Sequence, residues 1–144
     1  MEEMEGDAVD RVLYREGYGM LAMNDEDVPY VLPMSFGYDG TACYVQMTTT
    51  GHKNDLLERH SRASLAVVSR LPEADVSESV LVSGAFERVR GDAVAEGLGA
   101  LAANAEFGPD LTMWGDPVED VDLGVYRLAL ESVSGRRFEP GDPF

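Results

Sequence analysis

Cysteine is almost missing from this sequence: Cys43 stands alone among 144 residues. An intrachain disulfide is therefore impossible, and a cysteine-based zinc site lacks its ligands. Within TACYVQM a lone small thiol reads as a buried strand residue. Lysine is equally scarce, because the 11 basic residues are ten Arg and a single Lys, Lys53. No apolar run approaches the ~20 residues needed to cross a bilayer. The acidic start MEEMEGD does not follow the basic-then-apolar plan of a secretory leader, so a cytoplasmic location is expected. The two histidines, His52 and His60, are spaced i and i+8 rather than the i, i+4 by which helical pairs share a metal, and no metal site is expected. GxSxG, HExxH, P-loop and dinucleotide fingerprints are absent, and Ser35, Ser83 and Ser134 have no recognisable triad partner.

What is present in excess is acid: 27 Asp+Glu against 11 Lys+Arg, a net charge of −16. Such a surface repels nucleic-acid phosphates and anionic lipid, which excludes both as general partners. Extreme acidity with almost no lysine resembles the proteins of salt-loving archaea, so a halophilic source is expected. At ~1 M salt the Debye length is about 3 Å and self-repulsion is largely screened. With 44% hydrophobic residues the chain is not a disordered acidic tail. Its length suits one domain over residues 1–144, and no repeat, low-complexity tract or linker divides it.

Apolar periodicity predicts a short N-terminal helix over Asp7–Glu16 within residues 1–16, with Ala8, Val9, Val12 and Leu13 on one face and Gly17 after it. Strands are predicted over Tyr18–Met23 and Val28–Tyr38, joined by the acidic turn Asn24–Asp27. Pro29 and Pro33 give the second of these an edge, a bulge or a ligand-facing stretch. Asp39-Gly40 is a hairpin signal leading into a strand over Thr41–Thr48. A helix over Gly51–His60 follows, then strands over Ala63–Leu71 and Ser79–Arg90. Asp92 is the predicted cap of a helix reaching Ala105, in which Gly97 and Gly99 permit close packing. A sixth strand is expected over Gly124–Val133, then a basic turn at Gly135-Arg136-Arg137 and a flexible tail over 138–144. Six strands with hairpins first suggest a mainly β fold, an antiparallel barrel whose ends are covered by short helices.

The most informative stretch is QMTTTGHKNDLL, Gln46–Leu57. A strand runs into three threonines, Gly51, His52 and Lys53, and then a helix. Threonine hydroxyls, amide groups at the helix start and the Lys53 ammonium converge on an anion such as a phosphate. A cation in a first helical turn is disfavoured by the macrodipole unless an anion is also bound there. The bland alternative is that Thr49 or Thr50 caps the helix and Lys53 is solvated. Trp114 reads as a packing anchor or a stacking platform, and Arg136 and Arg137 as surface ion pairs or ligand contacts.

The order PYVLPMSFGYDGTACYVQMTTTGHKNDLLERHSRASLAVV resembles the FMN-binding split-barrel family related to pyridoxamine 5'-phosphate oxidase. It is most similar to the subgroup containing nitroimidazole reductases. The shared pattern falls on Pro29–Pro33, Asp39-Gly40, Tyr44–Gln46, Gly51–Lys53 and Asp55–Leu57, with weaker likeness at Leu81–Gly84 and Glu131–Arg137. The resemblance implies a six-stranded antiparallel split β-barrel that forms a homodimer with FMN at the subunit interface. Leu32, Pro33, Met34 and Ser35 on one strand, and Gln46, Met47 and Thr48 on another, would line the flavin ring. Thr50, His52 and Lys53 would hold its phosphate, and the partner subunit would contribute from around Ser79–Ser83. The implied activity is that of an FMN-dependent oxidoreductase with a small-molecule substrate and no identified catalytic residue. A flavin-binding module or sensor without turnover, or a split barrel holding deazaflavin or haem, is the alternative. Nitroimidazole reductases of this subgroup carry His where this chain has Gln46, which argues against that substrate. The arginine-rich contacts of true pyridoxamine 5'-phosphate oxidases are absent from YVLPMS, which argues against vitamin B6 synthesis.

Overall fold

The computed structural model describes residues 1–106 and 122–143, so Trp114 lies outside the described residues. In chain order the elements are β1 (Glu2–Met4), α1 (Asp7–Arg15), β2 (Tyr18–Met23), β3 (Tyr30–Ser35), β4 (Gly37–Tyr38), β5 (Ala42–Thr48), α2 (His52–Arg59), β6 (Arg62–Leu71), β7 (Val76–Arg88), α3 (Asp92–Asn104), β8 (Leu123–Ala129) and β9 (Ser132–Phe138). All pairings are antiparallel. The strand path is β3-β2-β6-β7-β8-β5-β4, with β9 on β7 and β1 on β9. The fold is thus mostly β, a curled half-barrel with short helices, as the sequence pattern indicates.

The strand that makes the split is β7. Its residues Ser77–Ser83 pair with β9, whereas Phe86–Arg88 pair with β8, so β7 changes partner along one edge. Gly84 sits at the change, where a Cβ would stand 2.1 Å from the Ala129 carbonyl oxygen. The Glu131 carboxylate accepts the Ala85 amide at the same crossing. The barrel interior is filled by alternate residues of these strands, including Leu21, Val45, Leu65, Val67, Val82 and Phe86. Helix α1 closes one side with Val12 and Leu13, both fully buried. Its Arg15 donates to the buried Ser69 hydroxyl at 2.7 Å and to the buried Glu78 carboxylate at 2.9 Å, fixing α1 to β6 and β7. Helix α3 covers the opposite face of β5 and β8, packing Ala100 and Leu101 with Tyr44 and Val125.

Several expectations need correction. Nine strands are present among the described residues, not six. The stretch expected as one strand over Val28–Tyr38 is two, β3 and β4, because the chain turns inward at the buried Phe36 to donate its amide to the Gly17 carbonyl. The last strand is a hairpin of two, β8 and β9, and the expected basic turn Gly135-Arg136-Arg137 lies inside β9, paired with Glu2–Met4. Residues 1–16 therefore hold a strand as well as the helix. Gly91, not Asp92, is the cap position of α3, and Asp92 is its first helical residue. At the other terminus the Met1 ammonium pairs with Asp142 at 3.0 Å. Pro33 does lie on an edge strand, since β3 ends the sheet.

Candidate functional site

Strand β5 delivers the chain to the start of α2, and its side chains alternate. Met47 is buried in the barrel core beside Val45, whereas Gln46 and Thr48 are half-buried on the opposite face. On β3, Leu32 and Met34 pack half-buried against the core. Pro33 and Ser35 face outward, in register with Met20 and Tyr18 of β2. The Ser35 hydroxyl donates to the Glu106 carbonyl.

The corner after β5 is held by its own hydrogen bonds. The Thr48 hydroxyl donates to the Thr50 carbonyl at 3.0 Å, and Thr49 donates to the Asp122 carboxylate at 2.8 Å. Those two hydroxyl protons are therefore committed within the protein, whereas Thr50 is exposed. Asn54 locks the corner from the helix side. Its amide donates to the Thr48 carbonyl at 2.7 Å, and its carbonyl accepts the Tyr126 hydroxyl at 2.6 Å.

Neither Thr49 nor Thr50 caps α2. The cap position is Gly51, at φ 120, a backbone conformation that glycine accepts and residues with a Cβ rarely do. Among the described residues no side chain takes an amide proton of the first turn. Nothing among the described residues lies within 4 Å of where a Gly51 Cβ would stand. Lys53 stands on this turn, half-buried, and among the described residues it makes no hydrogen bond or ion pair. Burial pulls its pKa below the ordinary lysine value. Uncapped amides, the positive helix end and an unpaired ammonium together form an arrangement whose chemical complement is an anion.

His52, beside it, is occupied differently. Its Nε2 lies 3.0 Å from the Asp25 carboxylate, and its ring meets Tyr30 edge-on at 5.0 Å. At the other end of α2, Arg59 pairs with Glu26 at 2.8 Å, so the β2–β3 turn grips the helix at both ends. The structure thus gathers Thr48, Thr50, His52 and Lys53 at one corner. Leu32, Pro33, Met34 and Ser35 lie along a neighbouring strand whose Tyr30 end touches His52. Arg137 pairs with the buried Glu78 at 3.3 Å, away from this corner. A cleft of about 460 Å³ lined by Glu2, Glu3, Glu5 and Arg11 among others opens beside β1 and belongs to neither group. Among the described residues no group of three or more His, Cys, Asp and Glu is placed to hold a metal, and no helix is long and apolar enough to cross a membrane.

One residue at this corner has no signal in the sequence. Arg88, at the end of β7, stands in register with Tyr126, and its Nε and Thr49 Cγ2 both border the space over Gly124, a placement that only the folded sheet creates.

The profile of the pyridoxamine 5'-phosphate oxidase family matches residues 5–137. The chain belongs to that family. No curated protein matches it in sequence. Solved structures share the fold at low identity. An FAD-binding protein from Mesorhizobium loti superposes with a TM-score of 0.75 at 21% identity, over 96% of this chain and 98% of its own. A candidate 5-nitroimidazole antibiotic resistance protein from Bacteroides thetaiotaomicron gives 0.74 at 16%, over 95% and 87%. An FAD-binding protein from Mycobacterium smegmatis gives 0.72 at 17%, over 97% and 100%.

Proposed function

We propose that this member of the pyridoxamine 5'-phosphate oxidase family is an FMN-binding flavoprotein, a flavin-dependent oxidoreductase acting on a small molecule. The observation that carries the reading is Lys53. It is the sole lysine of the chain, half-buried, without a partner among the described residues, and on a helix start whose cap position is a glycine with no side-chain cap bond. A flavin 5'-phosphate fits that donor set. Its charge would satisfy the ammonium, and its oxygens would accept the free amides of the first turn. Two structural relatives named as FAD-binding support a flavin, and the phosphate-sized group of donors at α2 favours FMN. Bound flavin supplies hydride and electron transfer, and the protein supplies position and electrostatics. In this reading Lys53 neutralises the phosphate while Asp25 orients His52 beside it. Pro33 and Ser35 present an outward strand face to the ring, and Gln46 offers an amide able to donate and accept. Because Gln46 stands where the nitroimidazole reductases carry His, the substrate is not assigned to nitroimidazoles.

The same reading includes a homodimer. The outward face formed by β2, β3, β6, β9 and the Ser77–Ala85 part of β7 carries no Asp or Glu on its alternating positions, in a chain of net charge −16. Met20, Val31, Val68 and Leu81 are exposed there, between 47% and 67%. Serines fill most of the remainder, and Arg62, Arg70 and Arg136 are its outward charges. A second copy of the chain, presenting the same carboxylate-free face, is the proposed occupant. Pro33 and Ser35 are continuous with this face, so a flavin lined by them would meet the partner subunit.

The absorption spectrum of the purified protein tests the reading. Flavin bands, with FMN released on denaturation, are expected. A single longer-wavelength deazaflavin band or a Soret band would replace FMN with another cofactor. Bleaching by NAD(P)H and reoxidation by an added acceptor would show turnover, whereas a flavin that stays oxidised would make the protein a binding module. Light scattering in molar KCl is expected to give twice the 15.7 kDa chain mass.

A further inference from the structure

Among the described residues Lys53 is not the lone cation near α2 without a carboxylate partner. Arg88 ends β7 in register with Tyr126 of β8, and its side chain is laid over Gly124. A Cβ at Gly124 would stand 3.0 Å from Arg88 Nε, 3.0 Å from Thr49 Cγ2 and 3.3 Å from the Tyr126 ring. Arg88 Nε and Thr49 Cγ2 thus border the space that a Gly124 side chain would fill, and Thr49 lies on the segment that leads into α2. Six of the ten arginines hold a carboxylate among the described residues, namely Arg15, Arg59, Arg62, Arg70, Arg127 and Arg137. Among the described residues Arg88 holds none. Asp122 is present at the same corner, bonded to Thr49, yet it is not within ion-pair distance of Arg88. Arg90, two residues on, is likewise unpaired, and both arginines bear electrostatically on the Tyr126 hydroxyl together with Asp122. That hydroxyl is bonded to Asn54, the neighbour of Lys53 in the first turn of α2.

Charge balance gives this placement a meaning. A phosphomonoester carries about −1.5 to −2 charges near neutral pH. One lysine neutralises half of that, and the remainder would face a protein of net charge −16. We propose that Arg88 is a second cationic ligand for the anion at Lys53, so that the corner selects a dianionic phosphomonoester over the unphosphorylated form of the same molecule. The inference rests on the proposed phosphate site at α2. Arginine suits the role because its planar fork donates two parallel hydrogen bonds to phosphate oxygens, whereas Lys53 acts as a point charge.

The test is a titration of the apoprotein in molar KCl with FMN and with riboflavin, using wild type, Arg88→Gln, Arg88→Lys and Lys53→Ala. Inorganic phosphate as a competitor supplies the same comparison where riboflavin binds too weakly to titrate. Far-UV circular dichroism checks that each variant is folded. Arg88→Gln is expected to weaken FMN by about tenfold, the loss of one charge-assisted contact. Riboflavin affinity should be unchanged, and Arg88→Lys should recover most of the loss. Equal effects on FMN and riboflavin, or none on either, overturn the role of Arg88. So does a loss of dimer with FMN discrimination intact. If Lys53→Ala weakens FMN while Arg88→Gln does not, this inference alone fails. If Lys53→Ala also has no effect, the phosphate site itself fails.

Discussion

Lys53 carries an ammonium that burial makes less comfortable than it is in water, and the described residues offer it no carboxylate. Its folded pKa therefore lies below the ordinary value of 10.5, and an anion placed beside it would raise that pKa again. The sign of the pH dependence follows. The anion is favoured while Lys53 is protonated, so FMN affinity should be at full strength below the Lys53 pKa of the free protein. It should fall as pH rises through that value toward the pKa of the complex. A fluorescence titration of FMN over the alkaline range should show this loss in wild type and not in Lys53→Ala. Cys43 is the opposite kind of residue. It is fully buried, and burial pushes its thiol up to about 12, so almost no thiolate exists at neutral pH. An aromatic disulfide reagent should label Cys43 only as fast as the protein unfolds, and rapid labelling of the native protein would refute its burial.

Among the elements, α3 offers the sharpest test of packing, because its two glycines differ. A Cβ on Gly97 would come within 2.5 Å of Val125 Cγ1 and 2.8 Å of the Tyr44 ring, whereas a Cβ on Gly99 would meet nothing within 4 Å. Gly99→Ala should therefore gain helix propensity, about 1 kcal/mol of stability by thermal or denaturant melting. Gly97→Ala should lose stability despite the same propensity gain, since it must push α3 off β5 and β8. The helical period of α3 and the glycines within it were visible in the sequence, yet which glycine touches the sheet depends on tertiary placement. The strands divide in the same way. The span Tyr18–Met23 was legible because its buried and exposed residues alternate. Glu2-Glu3-Met4 has no such pattern and becomes a strand only because β9 presents Arg136 and Arg137 opposite it. SVSGRRF of β9 is too polar to read as a strand, since its outward positions are serines and arginine. At the candidate site, Lys53 was legible through its solitude and its place before a helix. Arg88 was not, since an arginine at a strand end looks solvated until β8 brings Gly124 beneath it.

For the whole molecule the governing quantity is charge. At a net −16 per chain, two protomers repel each other over the full Debye length, about 30 Å at 0.01 M salt and about 3 Å at 1 M. Self-repulsion within one chain is screened in the same way. The melting temperature should rise from dilute buffer to molar KCl, and a flat or falling curve would remove the salt-adaptation reading. Dimerisation should strengthen over the same range, because the carboxylate-free sheet face supplies attraction that the rest of the surface opposes at long range. A cofactor shared by two subunits would bind more tightly in parallel, and that links the outer charge of the molecule to its chemistry. We propose that a flavin is anchored here by its phosphate at Lys53. The most direct measurement is the affinity of wild type and Lys53→Ala for FMN and riboflavin in molar KCl. The expected result is that wild type binds FMN and that Lys53→Ala weakens it by about 1.5–3 kcal/mol, with riboflavin unaffected. Unchanged FMN affinity in Lys53→Ala, or no flavin binding by the wild type, would contradict it.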